Sequence, residues 1–371
     1  MSRLMPYLGI VAAIAVGFFV TTIAGGKFEV HSPFQVATLG FPTVNIPAQT
    51  VIASTSTQPE PESTPTQDTS PAEPVSVSVS PPAPPTNSPS VSALLDISAS
   101  SLRGALVNII CYAPAGSALH SISGSGVIVD PDGFIITNAH IAQFFLLAER
   151  GVSCVIRSGG PAKNRYKASL AYISPVWIRT NAKLLTQITP SGTGEYDFAI
   201  LAIYAPADSG PALEPLPAQF PYVPLATSPV LADTPVVIAS YGAQFLQSNQ
   251  ITSNLFPTIV FGSVKDVYTF GTKTVDVLAL GGSAAAQEGS SGGGIAESSG
   301  SLVGVIMTST TEGSTDTRSL NAITASYIRG EYASETGEPI DLLLSKSPSS
   351  AISDFAPQVP ALEKLLTAQL P

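Results

Sequence analysis

Charge is scarce in this chain. Only 11% of its 371 residues are Asp, Glu, Lys or Arg, against roughly a quarter in an ordinary globular protein, which argues against a coiled coil or a wholly disordered polymer. Sixteen basic and 26 acidic side chains leave a formal charge of −10. A dominant nucleic-acid role is not expected, because neutralising phosphates takes clustered cations. Two cysteines are too few for a disulfide framework or a four-ligand zinc site. Of the three histidines, His31 and His120 have no Cys, His, Asp or Glu at metal-ligand spacing, so no metal is expected. Glycine and proline are plentiful, at 30 and 33, but no Gly-X-Y period exists and collagen is excluded.

What is present changes along the chain. From Leu4 to Gly26 there is no charge, and the segment 8–24 is almost wholly apolar. Roughly 20 such residues cross a hydrocarbon core, and Arg3 before the run favours a cytoplasmic N-terminus. The segment 1–27 is expected to be a membrane anchor, with a cleavable signal peptide as the rival; either exports the rest of the chain. Residues of about 50 to 95 are rich in Ser, Thr and Pro and nearly devoid of aromatics. Proline fixes φ and lacks an amide donor, so 28–98 is expected to be a disordered stalk.

Beyond residue 99 short β-branched and apolar runs recur between turn signals, as in Leu106–Tyr112, Phe134–Asn138, Phe198–Tyr204, Pro235–Tyr241, Leu302–Met307 and Leu320–Ile328. The pattern predicts an all-β sandwich or pair of barrels over 99–335. Asp130-Pro-Asp-Gly133 reads as a hairpin turn. The stretch 142–150 reads as a short helix. The segment 336–371 is expected to hold a helix near 340–344 and then a Pro-interrupted tail.

Three local motifs stand out within the β region. Thr137-Asn138-Ala139-His140 ends an apolar run, Tyr196-Asp197-Phe198 opens another, and Gly289-Ser290-Ser291-Gly292-Gly293-Gly294 is a Gly/Ser turn. Each alone has a plain structural reading. Together they supply a hydroxyl nucleophile, a base within reach and an acid to hold the base's tautomer, while the glycines let amides approach a reacting carbonyl.

In these motifs and their order the chain resembles the trypsin-like serine peptidases, and most closely their HtrA/Deg-type branch. The resemblance runs from about residue 102 to 330 and rests on 124–141, on YDFAIL at 196–201 and on 288–306. It implies two six-stranded antiparallel β-barrels with the site between them. It further implies His140 as general base, Asp197 as its orienter, Ser291 as nucleophile and an oxyanion hole at Gly289, Ser290 and Ser291, the amides of Gly289 and Ser291 being the donors. Two positions depart from the pattern. Ser290 stands where relatives carry Asp or Asn, so no clip-activated zymogen switch is expected, and Glu288 replaces a Pro common in the HtrA branch. The residues after Gly330 are too few for a PDZ domain. The resemblance places the primary substrate pocket at Ala285, Thr308 and Ser309. No acid lies there, which favours small or medium apolar side chains over Arg or Lys.

Cys111 and Cys154 are candidates for a disulfide in an oxidising compartment; two buried free thiols are the alternative. Arg157, Lys163, Arg165, Lys167, Arg179 and Lys183 form a basic stretch without an acid, either a solvated loop surface or an anion-binding face. Trp177 is expected in the core. The expectation is therefore a membrane-tethered, extracytoplasmic serine endopeptidase that acts on proteins or peptides and needs no cofactor. The alternative is an inactive protease-like module for adhesion or binding.

Overall fold

The computed structural model describes residues 89–187, 193–207, 215–271, 274–309 and 313–370, with backbone alone at Thr308 and Ser309. The expected anchor, most of the expected stalk and His31 lie outside these residues. Among the described residues no helix is long and apolar enough to cross a membrane.

Six strands form the first unit: β1 (Leu106–Tyr112), β2 (Ile122–Ile128), β3 (Phe134–Thr137), β4 (Ser153–Ser158), β5 (Lys163–Ile173) and β6 (Ala199–Pro206). They pair antiparallel in the order β1-β2-β3-β6-β5-β4 and close into a barrel, which leaves no unpaired edge. The hairpin between β2 and β3 turns where proline and glycine predict it. The Gly133 amide donates to the Asp130 carbonyl at 3.0 Å, and the Asp132 amide to the Asp130 side chain at 2.8 Å. Ile109, Phe134, Ile136, Ile156 and Leu201 are fully buried.

The second unit contains β7 (Pro235–Ser240), β8 (Thr258–Ser263), β9 (Asp266–Tyr268), β10 (Val277–Ala279), β11 (Gly294–Glu297), β12 (Leu302–Ser309) and β13 (Leu320–Thr324). Their order, β8-β7-β11-β12-β13-β10-β9, is an open seven-stranded sheet where the resemblance implies a closed six-stranded barrel. The reason is a corner. Strands β8 and β9 are separated only by Val264 and Lys265; the Val264 amide donates to Thr234 beside β7, and the Lys265 amide to Ala279 of β10. One bent run of chain thus flanks both sides of the sheet, giving a barrel-like unit with a strand broken in two.

The helices are α1 (Val91–Ala105), α2 (Ala139–Ala142), α3 (Pro175–Asn181), α4 (Ser248–Ser253), α5 (Ala325–Thr336), α6 (Ile340–Leu344), α7 (Pro348–Phe355) and α8 (Val359–Thr367). Helix α1 corrects the expected boundary at 98, because it starts inside the expected stalk. Ser90 caps it by accepting from the Ala93 amide, and Leu95, Leu102 and Ala105 bury one face beside β7 and β11. Its Ser/Ala-rich composition hides that spacing. The expected helix at 142–150 is largely 3₁₀ over Gln143–Arg150. The expected strand 320–328 ends at Thr324, whose hydroxyl accepts the Tyr327 amide at 3.0 Å and starts α5.

The tail is helical rather than interrupted. Pro348 and Pro360 stand in the first turns of α7 and α8, where a missing amide donor is harmless. Helix α7 packs on β5 and β6, and α8 on α3 and the 3₁₀ segment. Tyr172 of β5 anchors this cover, stacking on Phe198 at 5.7 Å and meeting Tyr332 and Phe355 edge-on at 4.7 and 6.1 Å. Trp177 of α3 is in the core.

Arg157 corrects the basic-stretch reading. It is 2% exposed, and its guanidinium donates to Asn108 Oδ1 and the carbonyls of Ala162, Ile251 and Thr252 at 2.7–3.0 Å. It ties α4 to the first barrel and belongs to no surface patch.

Cys111 and Cys154 face each other across β1 and β4 and are joined in a disulfide, with a sequence separation of 43. Chain entropy alone makes a loop of that length worth about 4 kcal/mol. Replacing both cysteines by alanine is expected to lower the unfolding free energy by up to that amount. Urea titration of the double variant checks this; an unchanged midpoint contradicts it.

Candidate active site

His140 sits in the single turn of α2. Asn138 occupies the N-cap position but caps nothing; its Nδ2 donates to the Asp197 carbonyl at 2.9 Å. The Asp197 carboxylate binds the histidine twice, accepting from the backbone amide at 2.9 Å through Oδ1 and meeting Nδ1 at 2.7 Å through Oδ2. Asp197 is wholly buried and the His140 side chain is 12% exposed. A carboxylate on Nδ1 keeps the proton there, which leaves Nε2 as the acceptor for a hydroxyl proton.

Asp197 reaches this position through a strained turn. Tyr196 before it has φ 58, unusual for a bulky residue. Its amide donates to the Tyr327 hydroxyl of α5 at 3.1 Å. Strain of this kind is of order 1–3 kcal/mol and persists only where neighbours hold it.

Ser291 comes from the opposite unit, on the turn between β10 and β11. The Ser125 amide of β2 donates to the Ser291 carbonyl at 2.7 Å. Gly292 has φ 83, and a Cβ there would run into the Ser125 carbonyl and the Thr137 hydroxyl, three residues from His140. The glycine therefore lets this turn close against the end of β3. A bulge between Ile306 and Thr308 takes Met307 out of the ladder and turns its carbonyl toward the Ser291 hydroxyl at 3.5 Å. That is too long for a good hydrogen bond. Among the described residues the hydroxyl makes no bond to the imidazole. Unliganded catalytic hydrogen bonds are often long and tighten with substrate.

The peptide orientations around Ser291 are decisive. The Glu288 carbonyl accepts from the Ala243 amide at 2.7 Å, and the Ser290 carbonyl from the Gly293 amide at 2.9 Å. In a trans peptide C=O and N–H point opposite ways, so the Gly289 and Ser291 amides point away from those partners. Among the described residues neither amide has a hydrogen-bond partner of its own. Gly289 has φ 88, and its carbonyl accepts from the Ser125 hydroxyl at 2.8 Å. The Ser290 amide donates to the Gln287 carbonyl at 3.2 Å, so it is not a free donor. Its buried hydroxyl accepts from Ser240 at 3.0 Å, a neutral contact where relatives place a charge or an amide. The replacement of Pro by Glu288 does not spoil the loop, because the bond to Ala243 is a backbone one.

Residues 124–305 match the family model of the trypsin-like peptidase domain. The chain carries a trypsin-like serine peptidase domain. Among solved structures, the peptidase domain is similar to the Rv3671c protease of M. tuberculosis. A serine-to-alanine variant in its inactive form is 19% identical, with 68% of this chain and 97% of that chain covered and a TM-score of 0.40. The active form is 18% identical, with 70% and 96% covered and a TM-score of 0.40. No curated protein sequence matches the chain.

The pocket residues expected from the resemblance are only partly described. Ala285 is wholly buried and offers no surface to a substrate, and Thr308 and Ser309 are placed by backbone alone. Among the described residues no cluster of three or more His, Cys, Asp or Glu could hold a metal, and His120 is exposed. Burial pushes the Glu288 carboxyl above its usual range, while Arg318 pulls it back.

Sequence reasoning assigned no role to Ser125, although Gly124-Ser125-Gly126 lies in the resembling segment. Its hydroxyl accepts from the Tyr241 amide at 2.9 Å as it donates to Gly289. A serine inside a strand carries no signal of a partner 164 positions away. Ser125→Ala strands two buried backbone groups, so it is expected to lose roughly 1–3 kcal/mol of stability and to slow turnover. Urea melts alongside peptide hydrolysis check this, and an unshifted melt contradicts it.

Proposed function

We propose that the domain is an endopeptidase that hydrolyses protein or peptide substrates through His140, Asp197 and Ser291. His140 Nε2 takes the Ser291 proton as the hydroxyl oxygen attacks the scissile carbonyl. The Gly289 and Ser291 amides receive the developing oxyanion. The protonated imidazole gives its proton to the leaving amine, and water then opens the acyl-enzyme by the same route in reverse. The observation that carries this reading is the 2.7 Å contact of His140 Nδ1 with the Asp197 carboxylate, beside two amides turned away from internal partners. Nothing in these steps calls for a cofactor.

The uncharged run 4–26 supports a single-pass anchor with a cytoplasmic N-terminus, the peptidase domain lying outside the cytoplasm on a Pro-rich stalk. The disulfide fits an oxidising compartment. The absence of acid at Thr308 and Ser309 supports small or medium apolar side chains before the cleaved bond. A second reading, an inactive protease-like module for binding or adhesion, is favoured by one feature: among the described residues the Ser291 hydroxyl makes no hydrogen bond to the imidazole, its one contact being the Met307 carbonyl at 3.5 Å.

Casein hydrolysis by the purified full-length protein separates the two. Ser291→Ala is expected to lower kcat by about 10⁶-fold with an unchanged circular dichroism spectrum. Equal rates for variant and parent would assign any cleavage to another group.

A further inference from the structure

Arg318 lies in the segment before β13 and is 5% exposed. Among the described residues no carboxylate is within ion-pairing distance of it. Its guanidinium is held by neutral oxygens: Nη1 donates to Gln244 Oε1 at 2.6 Å and to the Ala286 carbonyl at 2.8 Å. Nε and Nη2 both donate to the Gly313 carbonyl, at 3.1 and 2.9 Å. The Phe245 ring covers it, with Cζ 5.9 Å from the centroid. Withdrawing a cation from water costs several kcal/mol, and an apolar side chain of similar size fills such a site more cheaply. What the guanidinium adds is a planar fork that reaches several loops at once.

The loops it reaches are informative. Gln244 follows Ala243, whose amide holds the Glu288 carbonyl, and Ala286 lies two residues before Glu288. Arg318 therefore braces both sides of the one hydrogen bond that aims the Gly289 amide. Released, the 288–289 peptide is free to rotate, which would put a carbonyl oxygen where the oxyanion forms. We propose that Arg318 is a positioning residue that locks the 288–289 peptide in its oxyanion-binding orientation. The proposal rests on the peptidase reading, since it assigns Gly289 as an oxyanion donor. Arg318 itself touches no reacting atom.

The test compares Arg318→Met and Arg318→Lys with the parent in the full-length protein. Steady-state hydrolysis of a peptide substrate is measured beside the affinity of a peptide aldehyde, which adds to the nucleophile as a tetrahedral hemiacetal. Removing one oxyanion donor outright slows kcat by about 10²–10³-fold, so freeing its peptide is expected to cost about 10- to 100-fold. The aldehyde's affinity should fall in parallel while KM moves less than about threefold. A general weakening of the fold does not produce that split. Gln244→Ala, which removes one tether from a half-buried position, keeps the test valid if the arginine variants do not fold; it should lower kcat and aldehyde affinity together by a smaller factor. Unchanged kcat, or a loss confined to KM, overturns the proposal. No turnover by the unaltered protein overturns the peptidase reading itself, and that result is seen before any variant is compared.

Discussion

Ser125 is the point on which the site turns. It belongs to β2 of the first barrel, yet its amide holds the Ser291 carbonyl and its hydroxyl joins the Gly289 carbonyl to the Tyr241 amide. Its own carbonyl accepts the Thr137 hydroxyl, just ahead of the histidine turn. Four buried hydrogen bonds to one residue thus set the nucleophile turn of one unit against the base-bearing segment of the other. Buried polar groups are costly unless paired, so this set is made together or lost together, and the relative placement of His140 and Ser291 is lost with it.

The two sides of the cleft are stiffened by different means. On the first barrel a buried carboxylate grips His140 at backbone and ring, and the left-handed backbone of Tyr196 that delivers it is held from α5. On the second unit the carbonyls of Glu288 and Ser290 are drawn off by neighbouring amides, which leaves the opposite faces of those peptides for an incoming anion. Helices α7 and α8 lie on the first barrel and α3, away from the nucleophile turn. Helix α7 thereby thickens the core around Tyr172, and α8 packs on the 3₁₀ segment that continues from the histidine turn.

Features with a local signature were readable from the sequence. His140, Asp197 and Ser291 each stand in a short motif, and the structure joins the first two directly. The Asp130–Gly133 turn and the helix at Ile340–Leu344 follow from proline, glycine and apolar spacing. What escaped depends on contacts between distant positions. Arg157 reads as surface charge until Asn108 and the α4 carbonyls are seen around it. The strand 258–268 has no sign that it bends at Val264, and α1 is disguised by serine and alanine that resemble the segment before it. Ser125 and Arg318 act through carbonyls, whose positions follow from the packed backbone and not from any side-chain pattern.

The account requires an activated serine at position 291, and covalent labelling reads that property directly. The folded full-length protein, treated with a fluorophosphonate and mapped by peptide mass spectrometry, is predicted to carry one adduct, on Ser291, that fails to form after prior unfolding in urea. No adduct, or an adduct on a different serine, would contradict the claim that His140, Asp197 and the Ser291 turn form a working catalytic unit.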